Sequence, residues 1–246
     1  YGRADAVPND HPNYLGHLGR LGSAEGIEAI RQADTILAVG TRLSQSTTFY
    51  DNRFIPEDAK IVQIEIDPQE IGRNYPVTVG IEGDAKAVMD GLLEKVRERE
   101  PRPNQGWVSE IRDWNSRRAT RLQDEEKLTG SSIKPQRAYA ELRKVMPRDA
   151  IVALDAGLAP NYGQDRLNYY EPRSLITSLD LGGLGFSFPA AIGAKFAAPN
   201  RPVINFNGDG GFLFNAQEFS TAVQYNLPLV TVIMNNGIWG SEKAYQ

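Results

Sequence analysis

The sequence lacks cysteine altogether, and its 246 residues include only two histidines, His11 and His17. Without cysteine, the chain offers no disulfide, no thiolate metal ligand and no cysteine nucleophile. Two histidines that both lie near the N-terminus do not favour a histidine-based catalytic triad or a multi-histidine metal site. Without cysteine there is no disulfide to indicate an oxidising compartment, and we expect a cytoplasmic protein.

Long apolar runs and an excess of positive charge are also missing. No run approaches the length of a membrane span and no signal peptide is recognisable, so we expect no membrane partner. The formal net charge is −4, which does not favour a nucleic-acid partner. Hydrophobic residues make up 41% of the chain and charged residues 24%, as in a globular protein. The remaining expectation is a small-molecule ligand or substrate.

Apolar runs alternate with amphipathic segments in the first 100 residues. The apolar runs predict extended segments at 35–39, 60–66 and 77–81. Segments 24–33 and 84–98 place their apolar residues on one face and predict helices, the second with Asp84 as its N-cap. Strands that alternate with helices predict a parallel sheet covered on both faces.

The same alternation returns after a charged, proline-containing stretch. Residues 101–133 predict a linker with a surface helix. Beyond the linker we predict strands at 150–154, 175–179, 203–206 and 229–234. The predicted helices lie at 135–145, 189–198 and 215–225, with a loop at 207–214. Asn215 and Glu218 have the N-cap and N3 spacing of a capping box, which predicts the start of the last helix.

The predicted fold class is therefore α/β, with two Rossmann-like parallel-sheet domains. We place the first domain at 1–100 and the second at 134–246, joined by the linker at 101–133. The chain does not begin with Met and stops a few residues after an apolar strand. We therefore expect a fragment of a longer protein in which both domains are incomplete.

One carboxylate stands among three glycines at the end of a predicted strand, in Gly208-Asp209-Gly210-Gly211. The next predicted strand ends at Asn235-Asn236, and a connecting helix makes the two strands parallel, so their carboxyl ends share one edge of the sheet. Carboxylate and amide oxygens suit Mg²⁺, and glycines let the backbone approach a phosphate. The sequence thus predicts a metal-bridged diphosphate, although both motifs taken singly are also typical of tight turns.

Gly208-Asp209-Gly210 followed at this distance by Asn235-Asn236 resembles the motif of enzymes that use thiamine diphosphate. The resemblance covers nearly the whole chain. Four runs, at 10–23, 38–43, 64–68 and 83–85, resemble the central domain of acetolactate-synthase-like members. Two further runs, at 182–186 and 189–194, resemble the coenzyme-binding domain of these enzymes.

The resemblance implies a role for each site residue. Asp209 and Asn236 would bind Mg²⁺ through their side chains, and Ile238 through its backbone carbonyl. The diphosphate would meet Gly157, Gly208, Gly210 and Gly211. Directly after Gly157, Leu158-Ala159 stand in place of residues that are polar in acetolactate synthases. Leu184 matches the apolar residue that holds the coenzyme bent, so that the coenzyme can activate itself. An ordinary core leucine is the alternative for Leu184.

The resemblance also implies what this chain does not contain. The family's activating glutamate lies on an N-terminal domain, usually that of a partner subunit, and no glutamate here takes its place. We therefore expect a homodimer or homotetramer with its active site between subunits, and no catalysis by this fragment alone. FAD is not expected, because Arg42-Leu43-Ser44-Gln45-Ser46 keeps only the first arginine of the run that binds FAD in acetolactate synthases.

The run Trp239-Gly240-Ser241-Glu242-Lys243 is similar to that of sulfoacetaldehyde acetyltransferases. It favours acetyl transfer from sulfoacetaldehyde to phosphate, with acetolactate synthesis or decarboxylation of a 2-oxo acid as alternatives. Lys243 could meet an anionic substrate or could be a solvated surface lysine, and Trp239 could line a pocket or a core. A non-catalytic nucleotide-binding module remains the alternative from another class.

Overall fold

The computed structural model describes residues 3–19, 22–51, 53–100, 102–130, 132–178 and 181–243. The chain forms two compact units, one of residues 18–116 and one that combines residues 1–17 with 117–246. The expected domain bounds of 1–100 and 134–246 stay a prediction. Among the described residues, no helix is long and apolar enough to cross a membrane.

The unit of residues 18–116 contains a three-stranded parallel sheet in the order β1-β2-β3. Its elements are α1 (Ala24–Gln32), β1 (Thr35–Val39), α2 (Gln45–Thr48), β2 (Lys60–Glu65), a 3₁₀ turn (Pro68–Glu70), β3 (Val79–Glu82) and α3 (Ala85–Arg97). Side-chain caps start both longer helices. Ser23 Oγ accepts from Gly26 N at 3.3 Å, and Asp84 Oδ1 accepts from Ala87 N at 3.0 Å. The prediction of Asp84 as an N-cap is confirmed.

The unit of residues 117–246 contains a four-stranded parallel sheet in the order β5-β4-β6-β7. The helix α4 (Gln105–Glu126) runs into this unit. There follow α5 (Pro135–Val145), β4 (Ile151–Leu154), α6 (Leu158–Arg166), β5 (Leu175–Thr177), α7 (Ser187–Ala197), β6 (Val203–Gly208), α8 (Asp209–Phe214), α9 (Phe219–Gln224), β7 (Val230–Met234) and α10 (Gly240–Lys243). A 3₁₀ turn (Ala216–Glu218) separates α8 from α9.

The two central strands β4 and β6 are buried on both faces; β4 is apolar throughout, whereas β6 also buries the side chains of Asn205 and Asn207. On one face, Leu154 and Phe206 pack with Tyr139 of α5 in the largest cluster. On the other face, Ala153 packs with the small residues of α7, among them Ala191. Helices therefore cover both sides of the sheet, and the predicted α/β class with parallel sheets is confirmed.

Two predictions near the end of β6 are wrong. A loop was expected at 207–214, but in the structure β6 continues to Gly208 and the residues after it form α8. The expected capping box does not form, because Asn215 Nδ2 donates to Gly185 O at 2.8 Å and Glu218 Oε2 accepts from Thr221 Oγ1 at 2.8 Å. A tertiary contact thus takes the side chain that the local pattern assigned to a cap. The end of the predicted strand 175–179 lies partly outside the described residues.

We predict that Asp84→Ala lowers the local stability of α3 by about 1 kcal/mol, because the Ala87 N–H loses its acceptor. Amide hydrogen exchange in α3 should then accelerate about fivefold. Asp90→Ala is the matched control, since it removes a carboxylate of the same helix that pairs with Lys86 on the surface. Surface ion pairs contribute little, so the control should change exchange rates less than twofold or so. Equal effects of both substitutions would contradict the cap.

Candidate functional site

The register of β6 and β7 brings the predicted metal ligands to one edge of the sheet. Gly208, the last residue of β6, pairs with Met234, the last residue of β7. Asp209 follows the first strand directly, and Asn235-Asn236 follow the second. The carboxyl ends of parallel strands are where open α/β sheets bind ligands.

A cavity of about 390 Å³ opens at this edge. All eight predicted site residues line it: Gly157, Leu184, Gly208, Asp209, Gly210, Gly211, Asn236 and Ile238. They come from the ends of β4, β6 and β7 and from the segment before α7, so the fold collects them from four separate stretches of sequence. The structure therefore brings the predicted set together without omission.

The turn after β7 is built by two asparagine side chains. Asn235 Oδ1 accepts from Gly237 N at 2.9 Å, and Asn236 Oδ1 accepts from Ile238 N at 3.1 Å. Gly237 has φ +63°, a conformation that favours glycine. These bonds hold Asn236 and Ile238 in one tight turn opposite the half-buried Asp209.

The oxygen ligands available at this edge suit a hard cation such as Mg²⁺. Asp209 and Asn236 carry side-chain oxygens and Ile238 a backbone carbonyl, which is the ligand type that Mg²⁺ prefers. In the described part of the chain, no group of three or more His, Cys, Asp or Glu side chains is placed to hold a metal. The predicted set contains a single carboxylate, so a bound Mg²⁺ would need further oxygens, such as those of phosphate or water.

The glycines leave room in the cavity at different places. A Cβ added at Gly208 or at Gly210 would meet nothing within 4 Å, so the backbone there is open to a ligand. The first N–H groups of α8 have no partner inside the helix, and a phosphate could accept from them. Gly157 has φ +122° just before α6, a conformation that other residues rarely adopt. The residues present therefore fit a diphosphate held against backbone.

The rest of the cavity wall is apolar. Leu184 is 37% exposed, whereas the core residue Leu154 is fully buried. Phe214, Met234 and Trp239 also line the cavity, and Trp239 is 68% exposed. Such a mixture of apolar walls with a few polar groups is typical of small-molecule sites.

The run after Asn236 is divided between wall and surface. Trp239 and Ser241 line the cavity, while Lys243 is exposed and is not among the lining residues. This placement agrees with the interpretation of Lys243 as a surface lysine. The side chains of Ala159 and Glu242 lie outside the described residues.

Sequence reasoning missed Asp155, which lies directly behind the cavity wall. Its carboxylate is fully buried at the end of β4 and accepts from Gly185 N at 3.0 Å and from Ser187 N at 3.2 Å. Burial raises the pKa of the Asp155 carboxyl, and the hydrogen bonds from Gly185 and Ser187 partly offset that rise. Its position after a central strand, at the same edge as Asp209, is the signal that could have identified it.

Comparison with known proteins places both halves of the chain in one family. The family profile described as "Thiamine pyrophosphate enzyme, C-terminal TPP binding domain" matches residues 155–246. The profile described as "Thiamine pyrophosphate enzyme, central domain" matches residues 1–92. The two matches cover the sheet of β1–β3, the strands β5, β6 and β7 and the entire candidate site, while β4 ends one residue before the second match begins.

Relatives with two different enzyme names match nearly the whole chain. The chain is 32% identical over 262 residues to a sulfoacetaldehyde acetyltransferase of Castellaniella defragrans, which covers 98% of this chain and 44% of the relative. It is 35% identical over 244 residues to the acetolactate synthase large subunit of Haemophilus influenzae, and this alignment covers 98% of the chain and 42% of the relative. A probable acetolactate synthase large subunit of Methanocaldococcus jannaschii is 36% identical, and this alignment covers 97% of the chain and 41% of the relative. The chain thus spans less than half the length of these relatives.

We predict that Gly211→Ala destabilises the unliganded full-length protein by about 1–3 kcal/mol. The added Cβ would lie 2.1 Å from Asp155 Oδ2, so the carboxylate or the first turn of α8 must move. Gly210→Ala is the matched control, because its Cβ meets nothing within 4 Å. Alanine also favours a helix over glycine by up to about 1 kcal/mol. Calorimetric unfolding should show a lower Tm for the first variant alone, and equal Tm values would contradict the packing.

Proposed function

Because the chain belongs to the thiamine pyrophosphate enzyme family, we propose that its cavity binds thiamine diphosphate (the same compound) together with Mg²⁺. The full-length protein then cleaves or forms a carbon–carbon bond on a 2-oxo acid or a related aldehyde. The observation that carries this proposal is that Asp209 and Asn236 line one cavity together with Gly208, Gly210 and Gly211.

The metal and the diphosphate are bound by neighbouring groups in this proposal. Asp209 and Asn236 hold Mg²⁺ by side-chain oxygens, and Ile238 holds it by its carbonyl. Gly157, Gly208, Gly210 and Gly211 leave space for the phosphates. No Lys, Arg or His lines the cavity as the described residues form it. The metal and the backbone N–H groups must therefore balance the diphosphate charge, which makes binding depend strongly on Mg²⁺.

Leu184 has a separate role in this proposal. Its side chain would support the coenzyme from the cavity wall and hold it in its reactive shape. When bound, thiamine diphosphate supplies the carbanion-stabilising chemistry of the reaction. The protein's own contribution is to bind the coenzyme, to fix its shape and to exclude water with the apolar wall.

Further parts of the proposal concern the full-length protein. Its domains here are 1–100 and 134–246, joined by 101–133. An activating glutamate from another domain, usually that of a partner subunit, completes the site in a cytoplasmic homodimer or homotetramer. The fragment alone is then inactive, and the central domain does not bind FAD, because Arg42-Leu43-Ser44-Gln45-Ser46 departs from the FAD-binding run.

For the substrate, we favour acetyl transfer from sulfoacetaldehyde to phosphate. Trp239 and Ser241 of the run that resembles sulfoacetaldehyde acetyltransferases line the cavity, where they could contact a donor. Relatives named as sulfoacetaldehyde acetyltransferases match at 32–34% identity and those named as acetolactate synthases at 33–36%, so identity does not decide between them. Acetolactate synthesis or 2-oxo acid decarboxylation is the second candidate, and a non-catalytic nucleotide-binding module is the alternative class.

We predict that Asp209→Ala weakens thiamine diphosphate binding in Mg²⁺ by at least about a hundredfold, since the metal loses its one carboxylate ligand. Calorimetric titration of the full-length protein, with Mg²⁺ and with EDTA, measures this effect. Asp149→Asn is the control, because Asp149 is exposed at the opposite edge of the same sheet, two residues before β4. The control should bind as the unmodified protein does. Binding that is equally tight in EDTA would contradict the metal-bridged site.

We predict acetyl phosphate as the product when full-length protein receives sulfoacetaldehyde, phosphate, Mg²⁺ and thiamine diphosphate. Sulfite release should accompany it in equal amounts, because the acetyl unit is formed as sulfite leaves. Pyruvate is the matched alternative donor in the same assay. Acetolactate from pyruvate, with no acetyl phosphate from sulfoacetaldehyde, would overturn the preferred substrate and leave the coenzyme assignment intact.

A further inference from the structure

Residues 181–183, which precede Leu184, make few tertiary contacts. Leu181 is 93% exposed, and a Cβ added at Gly182 or at Gly183 would meet nothing within 4 Å. Among the described residues, the hydrogen bonds of residues 181–183 go to Ser178: its carbonyl accepts from Leu181 N at 3.0 Å and from Gly182 N at 2.7 Å, and its hydroxyl donates to Gly183 O at 3.1 Å. These bonds stay within five residues of chain, so the contacts that tie Leu184 to the end of β4 and to α8 come from the residue that follows it.

Gly185, the next residue, is held through both of its polar backbone atoms. Its N–H donates to Asp155 Oδ2 at 3.0 Å, and its carbonyl accepts from Asn215 Nδ2 at 2.8 Å. The two side chains come from the end of β4 and from the residue after α8. They bind Gly185 on both sides of its Cα atom, which fixes the peptide planes on either side of that residue.

Close packing strengthens this arrangement. Gly185 has φ +79°, and a Cβ there would lie 2.7 Å from Phe214 Cβ and 2.8 Å from Asn215 Nδ2. Gly211 approaches Asp155 just as closely, with its added Cβ 2.1 Å from Oδ2. The segment, α8 and the end of β4 thus meet without an intervening side chain at two glycines.

Asp155 is itself fixed rigidly. Its backbone N–H donates to Phe206 O at 3.0 Å and so extends the pairing of β4 with β6. Its second carboxylate oxygen accepts from Ser187 N at 3.2 Å, at the start of α7. Because both oxygens accept from backbone N–H groups, an amide in this place would set a donor against a donor.

We propose that Asp155 and Asn215 are positioning residues that hold Leu184 in the cavity wall by binding the backbone N–H and carbonyl of Gly185. The inference rests on the proposed function, in which Leu184 fixes the shape of thiamine diphosphate. Neither side chain needs to touch the coenzyme. Their loss should therefore disturb the geometry of the bound coenzyme more than its affinity, which depends on the metal and the phosphates.

Three variants of the full-length protein test this inference: Asn215→Ala, Asn215→Asp and Asp155→Asn. Asn215→Asp keeps the shape of the side chain but replaces the donor to Gly185 O by an acceptor. Gln217→Ala is the matched control, because this exposed residue donates to Asn215 Oδ1 at 3.4 Å and lies outside the contact with Gly185.

The decisive readout is the rate at which the C2 proton of the bound coenzyme exchanges with deuterium, measured by NMR after acid quenching. We expect both Asn215 variants to slow this exchange by about ten- to hundredfold, because a displaced wall residue misaligns the rings. The calorimetric Kd for thiamine diphosphate in Mg²⁺ should change less than about fivefold, since the phosphate and metal groups are untouched. The control should leave both quantities unchanged.

A second readout needs no coenzyme. Amide hydrogen exchange of the peptide 181–187 in the unliganded protein should accelerate in the Asp155 and Asn215 variants, because Gly185 loses a partner. If Asp155→Asn does not fold, the two Asn215 variants decide the question. Unchanged C2 exchange in well-folded Asn215 variants would overturn the inference. So would parallel losses of Tm, affinity and C2 exchange, which indicate a structural role alone.

The design separates this inference from the proposed function. If the unmodified full-length protein binds no thiamine diphosphate in Mg²⁺, the proposed function fails, and the inference about Leu184 fails with it. Faster amide exchange of the peptide 181–187 would then still report the contacts of Gly185. If the unmodified protein binds and exchanges C2 while the Asn215 variants do the same at equal rates, only the positioning inference fails.

Discussion

The parallel pairing of β6 with β7 is the constraint on which the candidate site depends. With Gly208 opposite Met234, the chain leaves both strands at one level, and Asp209 therefore lies across from the turn at Asn235-Asn236. A shift of the register by one residue would move one set of groups by about 3.3 Å and turn alternate side chains to the other face of the sheet. No rearrangement of the loops alone would restore both the oxygen donors and the glycine space.

A buried carboxylate stabilises the other wall of the cavity. Removing Asp155 from water is costly without partners, and hydrogen bonds to a charged acceptor, worth about 1.5–3 kcal/mol each, offset part of that cost. The N–H groups of Gly185 and Ser187 provide such bonds. Because they come from the segment before α7, the same interaction that stabilises the carboxylate also orders the segment that carries Leu184. The site is thus supported by groups that do not line the cavity.

Much of the fold and the site could be predicted because the relevant signals are local. Apolar runs of strand length identified β1, β4 and β6 within a residue or two, and Asp84 was recognisable as a cap from its place before α3. The tertiary choices could not be predicted. Gly208-Asp209-Gly210-Gly211 has the composition of a loop, yet α8 begins within it because the glycines allow close packing against Asp155 and Gly185. Asn215 fits a local cap, but the carbonyl of Gly185, distant in sequence, binds it instead.

In the proposed site, a metal ion joins the ends of β6 and β7 to a diphosphate. A crystal structure of the full-length protein with thiamine diphosphate and Mn²⁺ in place of Mg²⁺ tests it most directly, because anomalous scattering locates the metal. One strong peak is expected within about 2.0–2.3 Å of the side-chain oxygens of Asp209 and Asn236 and the carbonyl oxygen of Ile238. Diphosphate oxygens should complete the coordination. A peak elsewhere, or an ordered coenzyme whose diphosphate lies away from Gly210 and Gly211, would contradict it.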